Sequence, residues 1–331
     1  MMMIEIFNCS GVFGSGLCIL SKHPILMTLF HAWSVNGYVH RIHHGDWFGG
    51  KGVGLCKILI RETYPINVYI FQLHAQYDRE TQFIESTRGN SVLQVLAGDM
   101  NTEPGDLAYR ILMVASGLRE TYNESECGDI GTSECNFNTY TSDHTKEEHP
   151  KGKRIDYILY RSGINYEAKV LEYKLPLPLH IPEQKISYSD HEAVNAKILI
   201  TNKDTVIDLN GVCSSSTIIK RAMAFDRFDT LNEGIKVCEQ ILTRLRSDKY
   251  CYFLMALLLL IPLFLLIDYR TPFGFGMPFL LVKILFIGII LFFVFMATLW
   301  NSIERNGILS TKLSMEMAQT AMAHCQNHSP N

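Results

Sequence analysis

Val92 to Asn101 reads VLQVLAGDMN, and its reading decides the fold. The apolar run Val92 to Ala97 has strand length and is bounded by turn formers, and it stops directly at Gly98-Asp99-Met100-Asn101. Polar side chains at a strand end are where a sheet fold presents chemistry. Working outward, similar short runs recur at Gly16 to Ser21 (GLCILS), Val53 to Ile60 (VGLCKILI), Ile66 to Gln72 (INVYIFQ), Ile155 to Tyr160 (IDYILY) and Ala193 to Ile200 (AVNAKILI). Two more of them carry polar groups at an end. Leu73 and His74 follow the Ile66 run, and Tyr188-Ser189-Asp190-His191 precedes the last one. These segments predict an α/β core over residues 1–200.

Each group also has a plain structural account. Gly98-Asp99 fits a turn, with Asn101 capping a helix over Glu103 to Leu112. Asp190-His191 fits a surface pair, and Asp156 fits a buried acid satisfied by Arg154. Their ordered combination carries more. A strand-embedded carboxylate, an Asp-x-Asn and a Ser-Asp-His together supply what metal-assisted phosphodiester hydrolysis requires. A histidine accepts a proton, a carboxylate orients it and stabilises the imidazolium, and amide and acid groups position phosphate and water near a cation.

Composition excludes several classes. The 331 residues carry 30 Lys+Arg against 33 Asp+Glu, with 47% hydrophobic and 19% charged residues, so a disordered polar chain or a strongly basic nucleic-acid binder does not fit. Nine cysteines, odd in number and without a CxxC pair or zinc-ligand spacing, fit a reduced, cytosol-facing chain. Met1 to Gly16 lacks the pattern of a secretory signal, so the sequons at Asn8, Asn123 and Asn327 are expected to be chance matches.

The apolar residues are unevenly spread. Tyr250 to Ile267 has no charge, and Pro278 to Trp300 carries only Lys283. Each stretch suits one bilayer crossing, for which about 20 apolar residues are needed. The short Asp268 to Met277 segment between them predicts a transmembrane hairpin over 250–300, with spans 250–267 and 278–300. Arg244, Arg246, Lys249, Arg305 and Lys312 flank it, against a lone Arg270 in the turn, which puts both flanks and the N-terminal region in the cytosol. Lys283 is placed to snorkel. Residues 201–249 divide into a polar linker and a juxtamembrane helix, Ile218 to Asp248. Its apolar stripe suits the membrane surface or the α/β domain equally. Cys238 and Cys251 suit palmitoylation or inert thiols. Residues 301–331 read as a cytosolic tail.

The motifs together resemble the metal-dependent endonuclease/exonuclease/phosphatase superfamily, whose members use Gly-Asp-x-Asn, Arg-x-Asp-Tyr and Ser-Asp-His. Gly14 to Ile25, Asn36 to Val53 (NGYVHRIHHGDWFGGKGV), Leu73 to Tyr77, Arg154 to Tyr160, Ser189 to Val194 and the hairpin are similar to neutral sphingomyelinases, notably the animal sphingomyelin phosphodiesterase 2 type. The resemblance implies a DNase I-like two-sheet α/β sandwich. It implies Mg2+-dependent hydrolysis of sphingomyelin to ceramide and phosphocholine at an internal membrane, such as the endoplasmic reticulum, or at the plasma membrane. It makes His191 the general base and Asp156 its orienting partner. Asp99 and Asn101 would position water and phosphate, and His74 would contact the phosphate. Asp46 and Lys51 would pair near the site, and Asp190 would help hold the cation.

The chain departs from that pattern in two places. Ile4 to Cys9 (IEIFNC) carries Asn8 near its end without the surrounding motif, and no strand ending in a metal-binding Glu stands between Met1 and Gly16. Arg79 to Asn90 is short for the helix relatives place there. The expectation is an N-terminally truncated, internally shortened sandwich with weakened magnesium binding. A catalytically impaired membrane-anchored isoform and a lysophospholipid phospholipase C are the alternatives. A nuclease is disfavoured, since no basic patch with interleaved aromatics tracks a phosphate backbone.

Overall fold

β4 (Gly52–Ile60) buries successive residues on both of its faces, Val53 and Leu55 on one and Cys56 and Ile58 on the other. A strand of this kind must be covered on both sides. The structure, a computed structural model, describes residues 4–7, 16–33, 50–72, 77–122, 128, 130–203, 216–267 and 275–327. The chain forms two units, Met1–Thr230 and Leu231–Asn331.

In the first unit, β3 (Ile25–Ala32) and β5 (Tyr64–Gln72) flank β4 in antiparallel pairing. β6 (Leu93–Asp99) then joins β5 in parallel, and the crossover contains α1 (Tyr77–Ser86). β8 (Asp156–Ser162) pairs antiparallel with β6, and β7 (Arg119–Glu120) closes the edge, so the six-stranded order is β3-β4-β5-β6-β8-β7.

One face of this sheet presents Val53, Leu55, Tyr69, Phe71, Leu96, Tyr157 and Leu159. It is capped by Ile84 of α1 and by Tyr109 and Leu112 of α2 (Leu107–Ser116). The opposite face is covered by two two-stranded ribbons. Ile19 of the β1–β2 ribbon (Ile4–Phe7 and Cys18–Ser21) packs on Cys56 and Ile58. Ala168, Val170, Ile198 and Ile200 of β9 (Tyr166–Lys174) and β10 (Asn195–Asn202) pack on Leu93 and Tyr160. The expected α/β sandwich is therefore present, with its second layer split between the ribbons.

β3 and β9 are strands that the hydrophobic reading did not predict. β3 is an edge strand with Leu26, Met27 and Leu29 exposed, so it lacks alternation, and β9 interleaves its apolar residues with Glu167, Lys169 and Glu172. Helix α2 starts at Leu107 rather than Glu103, and a short helix, α3 (Asp143–Glu148), is the next among the described residues. The Asp106 carboxylate accepts hydrogen bonds from the Thr102 hydroxyl at 3.0 Å and the Glu103 amide at 2.8 Å, which folds the preceding residues into a turn.

α4 (Ser216–Ile267) runs unbroken through Pro262, and from Leu231 onward it belongs to the second unit. α5 (Gly276–Phe295) continues through a π-helical turn, Met296–Trp300, into α6 (Asn301–Asn327). The two arms are antiparallel. Gln319 donates to Asn232 at 2.8 Å, Lys312 pairs with Glu239 at 2.8 Å, Asn301 donates to the Leu245 carbonyl at 2.8 Å, and Tyr252 stacks on Phe293. Lys283 donates to the Ile267 carbonyl at 3.2 Å, so its charge satisfies the end of α4. Both arms are long and apolar enough to cross a membrane, and only 6% and 11% of their most apolar windows are buried.

Gly98 makes the β5–β6 junction possible. At its φ of 154°, a Cβ would lie 2.3 Å from the backbone oxygen of Phe71. Gly98→Ala is expected to lower stability by about 3 kcal/mol or more, whereas Gly105→Ala, where an added Cβ meets nothing within 4 Å, stays near wild type. Thermal unfolding of the two variants checks this, and equal melting temperatures would contradict it.

Candidate active site

The pairing register places Asp99, the last residue of β6, directly opposite Asp156, the first of β8. Both lie on the sheet face opposite the helices, since Gly98 and Tyr157 occupy the helix-facing side of the same positions. Two acids meeting at one register position need cationic or hydrogen-bonding company. They have it. His191 Nδ1 lies 2.8 Å from Asp156 Oδ2, and the Asp99 carboxylate accepts the Asn101 backbone amide and side-chain amide, each at 2.9 Å. Asn101 adopts a left-handed φ of 48° to make both bonds, which Asn tolerates better than most residues, so it clamps Asp99 rather than capping α2.

Arg154 does not satisfy Asp156. It pairs with Glu120, which also accepts the Tyr109 hydroxyl at 2.7 Å, and its guanidinium stacks 4.2 Å from the Tyr122 ring centroid. The Tyr157 hydroxyl donates to the Thr102 carbonyl at 2.8 Å and so anchors the loop that follows Asn101. Asp156 is thereby left to His191, and the two side chains keep 15% and 30% of their surface exposed.

The segment that delivers His191 is held by residues the motif reading missed. The Thr132 hydroxyl oxygen accepts the backbone amides of Ile155 at 3.1 Å and Asp156 at 3.0 Å, and the Thr132 carbonyl accepts the Glu192 amide at 2.6 Å. Ser133 bridges to both Lys153 and His191. Asn138, fully buried, donates to the Ser189 carbonyl at 2.8 Å and to Glu192 Oε1 at 2.9 Å. No motif flags Thr132 or Asn138. Their signal is positional, since each bridges segments more than twenty residues apart.

Asp190 is exposed and accepts the Ser189 hydroxyl at 3.0 Å. Lys51 is buried at the start of β4, next to the Trp33 amide that donates to its carbonyl at 3.0 Å. His74 and Asp46 lie outside the described residues.

Among the described residues, one atom each from Asp99, Asp156 and His191 lie within 4.8 Å of one another, a spacing that fits a metal ion. Electrostatics agree with that crowding. His191 is raised from 6.5 to about 9, first by its hydrogen bond to Asp156, against burial, and further by the charges of Asp156, Asp99 and Asp190. Asp99 is raised chiefly by burial and also by the Asp156 charge, with the Asn101 bonds and His191 opposing. Imidazole held on its Nδ1 by a carboxylate keeps Nε2 for a reacting water.

The Endonuclease/Exonuclease/phosphatase family matches residues 7–191, ending on the dyad histidine, and the chain belongs to that family. A putative neutral sphingomyelinase of Drosophila melanogaster is 40% identical over 363 residues, covering 93% of this chain and 81% of that protein. One from Caenorhabditis elegans is 30% identical over 339 residues, covering 93% and 74%. Human sphingomyelin phosphodiesterase 2 is 36% identical over 211 residues, covering 58% of this chain and 49% of that protein. Within the family, the chain is a homologue of neutral sphingomyelinases, a class of hydrolase.

Because His191 is raised on folding, its stabilising contribution is complete below its ordinary value of 6.5 and lost as pH climbs through about 9. In chelator, the melting temperature of the full chain should fall across that window, and His191→Gln should remove that part of the fall. Parallel pH profiles for the two proteins would contradict the assignment.

Proposed function

We propose that this chain hydrolyses sphingomyelin to ceramide and phosphocholine, with Mg2+ at the site. The observation that carries the reading is the 2.8 Å Asp156–His191 bond beside Asp99, in a chain of this family. His191 Nε2 takes the proton of the attacking water while Asp156 holds the ring and stabilises the imidazolium. Asn101 holds Asp99 toward the phosphate and the water.

Asp99 and Asp156, whose carboxylates lie with His191 within 4.8 Å of one another, would hold a hard divalent cation, and Asp190, whose charge also acts on His191, would be a further carboxylate for it. Such an ion would supply positive charge that offsets the carboxylate field on His191 and the charge developing on the phosphate. His74 would contact the phosphate, and Asp46 with Lys51 would form the neighbouring ion pair.

The two apolar arms of the second unit would cross a bilayer with both flanks cytosolic, as the charge bias of Arg244, Arg246, Lys249, Arg305 and Lys312 over Arg270 favours. An enzyme tethered to the leaflet that holds its substrate gains effective concentration. The endoplasmic reticulum, another internal membrane or the plasma membrane would each supply such a leaflet.

Full chain in sphingomyelin-containing mixed micelles should release phosphocholine with magnesium and not with chelator. His191→Ala and Asp99→Ala should each lower the rate at least about 100-fold. Release that is equal in wild type and both variants would refute the reading, as would no release from wild type, the result expected of a noncatalytic anchored isoform. Faster turnover of lyso-platelet-activating factor than of sphingomyelin would move the assignment to a lysophospholipid phospholipase C.

A further inference from the structure

The six-stranded sheet is sealed on one face and partly open on the other. Toward the helices, Tyr69 and Phe71 of β5, Leu96 of β6 and Leu159 of β8 are fully buried. On the opposite face the same three strands carry Val68, Ile70, Val95, Ala97 and Ile158, and all of these are only half-buried. The ribbons leave them so. The β1–β2 ribbon covers Cys56 and Ile58 of β4, the β9–β10 ribbon covers Leu93 and Tyr160, and the two ribbons are separate sheets, unpaired with one another among the described residues. A strip of apolar floor remains between them.

The register gives the strip a direction. Ile70, Ala97 and Ile158 share one row of the sheet, with Val68 and Val95 in the row beneath. The row above sets Asp99 opposite Asp156 on this same face, because side chains alternate along a strand. The strip therefore begins directly under the two carboxylates and runs away from them, about 20 Å from Asp99 to Leu93 at the usual strand rise. Exposed apolar surface joined to polar groups at one end has the make-up of a ligand groove. A hydrocarbon chain needs no hydrogen-bond partner and can lie on this floor as it stands. The acids and His191 at its head fix the rest of the ligand, a phosphate with hydrocarbon behind it.

We propose that this strip binds one hydrocarbon chain of the phospholipid whose phosphate is held at Asp99 and His191, a subsite that rests on the sphingomyelinase reading. The chain lies over Ile70 and Ala97 first and over Val68 and Val95 beyond. Contacts along it are apolar and need no cation, and they place the phosphate of a long-chain substrate at the dyad. A substrate without a chain gains nothing from them.

Photolabelling of the full chain in mixed micelles tests it, in chelator so that the probe is not consumed. The probes are two sphingomyelins, one with a diazirine midway along the N-acyl chain and one with it midway along the sphingoid chain. At least one should label β5 or β6 at Val68, Ile70, Val95 or Ala97. Val95→Phe, which fills the strip, should lower that labelling at least tenfold, and Ile164→Ser, at a residue 78% exposed and outside the strip, should keep it. With magnesium, Val95→Phe should also lower phosphocholine release from sphingomyelin at least tenfold relative to release from p-nitrophenyl phosphocholine, which has no chain. V68T/V95T, which makes the strip polar at nearly constant volume, should move both readings the same way and decides the matter if Val95→Phe does not fold. Phosphocholine release without adducts on β5 or β6, adducts indifferent to Val95→Phe, or equal loss in Ile164→Ser would each overturn the strip and leave the sphingomyelinase reading standing. No adduct together with a dimeric chain by light scattering would give the strip to a second copy instead. Adducts that follow the strip in a chain releasing no phosphocholine would overturn the sphingomyelinase reading and keep the strip as a hydrocarbon site.

Discussion

Everything chemical in the α/β unit depends on one register constraint, the pairing of β6 with β8 that sets Asp99 opposite Asp156. A slip of one residue would turn Asp156 to the helix-covered face, where Tyr157 now packs, and would part it from His191. The register is fixed well away from the acids. Leu96 opposite Leu159 and Gly98 opposite Tyr157 lock the helix-facing side, and Gly98 itself is needed because the Phe71 backbone passes too close for a side chain. Hydrophobic packing on one face therefore aims carboxylates on the other.

Bringing two acids and an imidazole within 4.8 Å is costly unless charge is compensated. Three devices offset that cost here. Asn101 contributes two amide donors to Asp99, His191 pairs with Asp156, and Arg154 is diverted to Glu120, which leaves the dyad without a competing guanidinium. The Asp156 hydrogen bond first, and then the charges of Asp156, Asp99 and Asp190, hold His191 above its ordinary value. A divalent cation would offset that field, which is why the electrostatics and the proposed chemistry fit one another.

Much of this was legible in the sequence, for reasons that can be named. Val53 to Ile60, Ile66 to Gln72, Val92 to Ala97 and Ile155 to Tyr160 are central strands, whose apolar runs survive in sequence because both faces are covered. Asp99, Asn101, Asp156 and His191 stand at motif positions, and the structure brings them together. β3 and β9 were not legible because one is an edge strand with exposed Leu26 and Leu29 and the other carries charge on its outer positions. Thr132 and Asn138 were not legible either, since apart from the Asn138 bond to Glu192 their partners are backbone amides and carbonyls that any sequence possesses. Which acid Arg154 would choose was a matter of tertiary distance, and spacing alone favoured the wrong one.

The most direct test of the dyad is nitrogen-15 NMR of the His191 ring in the full chain, with magnesium present and pH above the imidazole titration. The account predicts a proton on Nδ1, held by Asp156, with Nε2 bare, and loss of the low-field Nδ1 proton resonance in Asp156→Asn. A ring protonated on Nε2, or a resonance indifferent to that substitution, would contradict it.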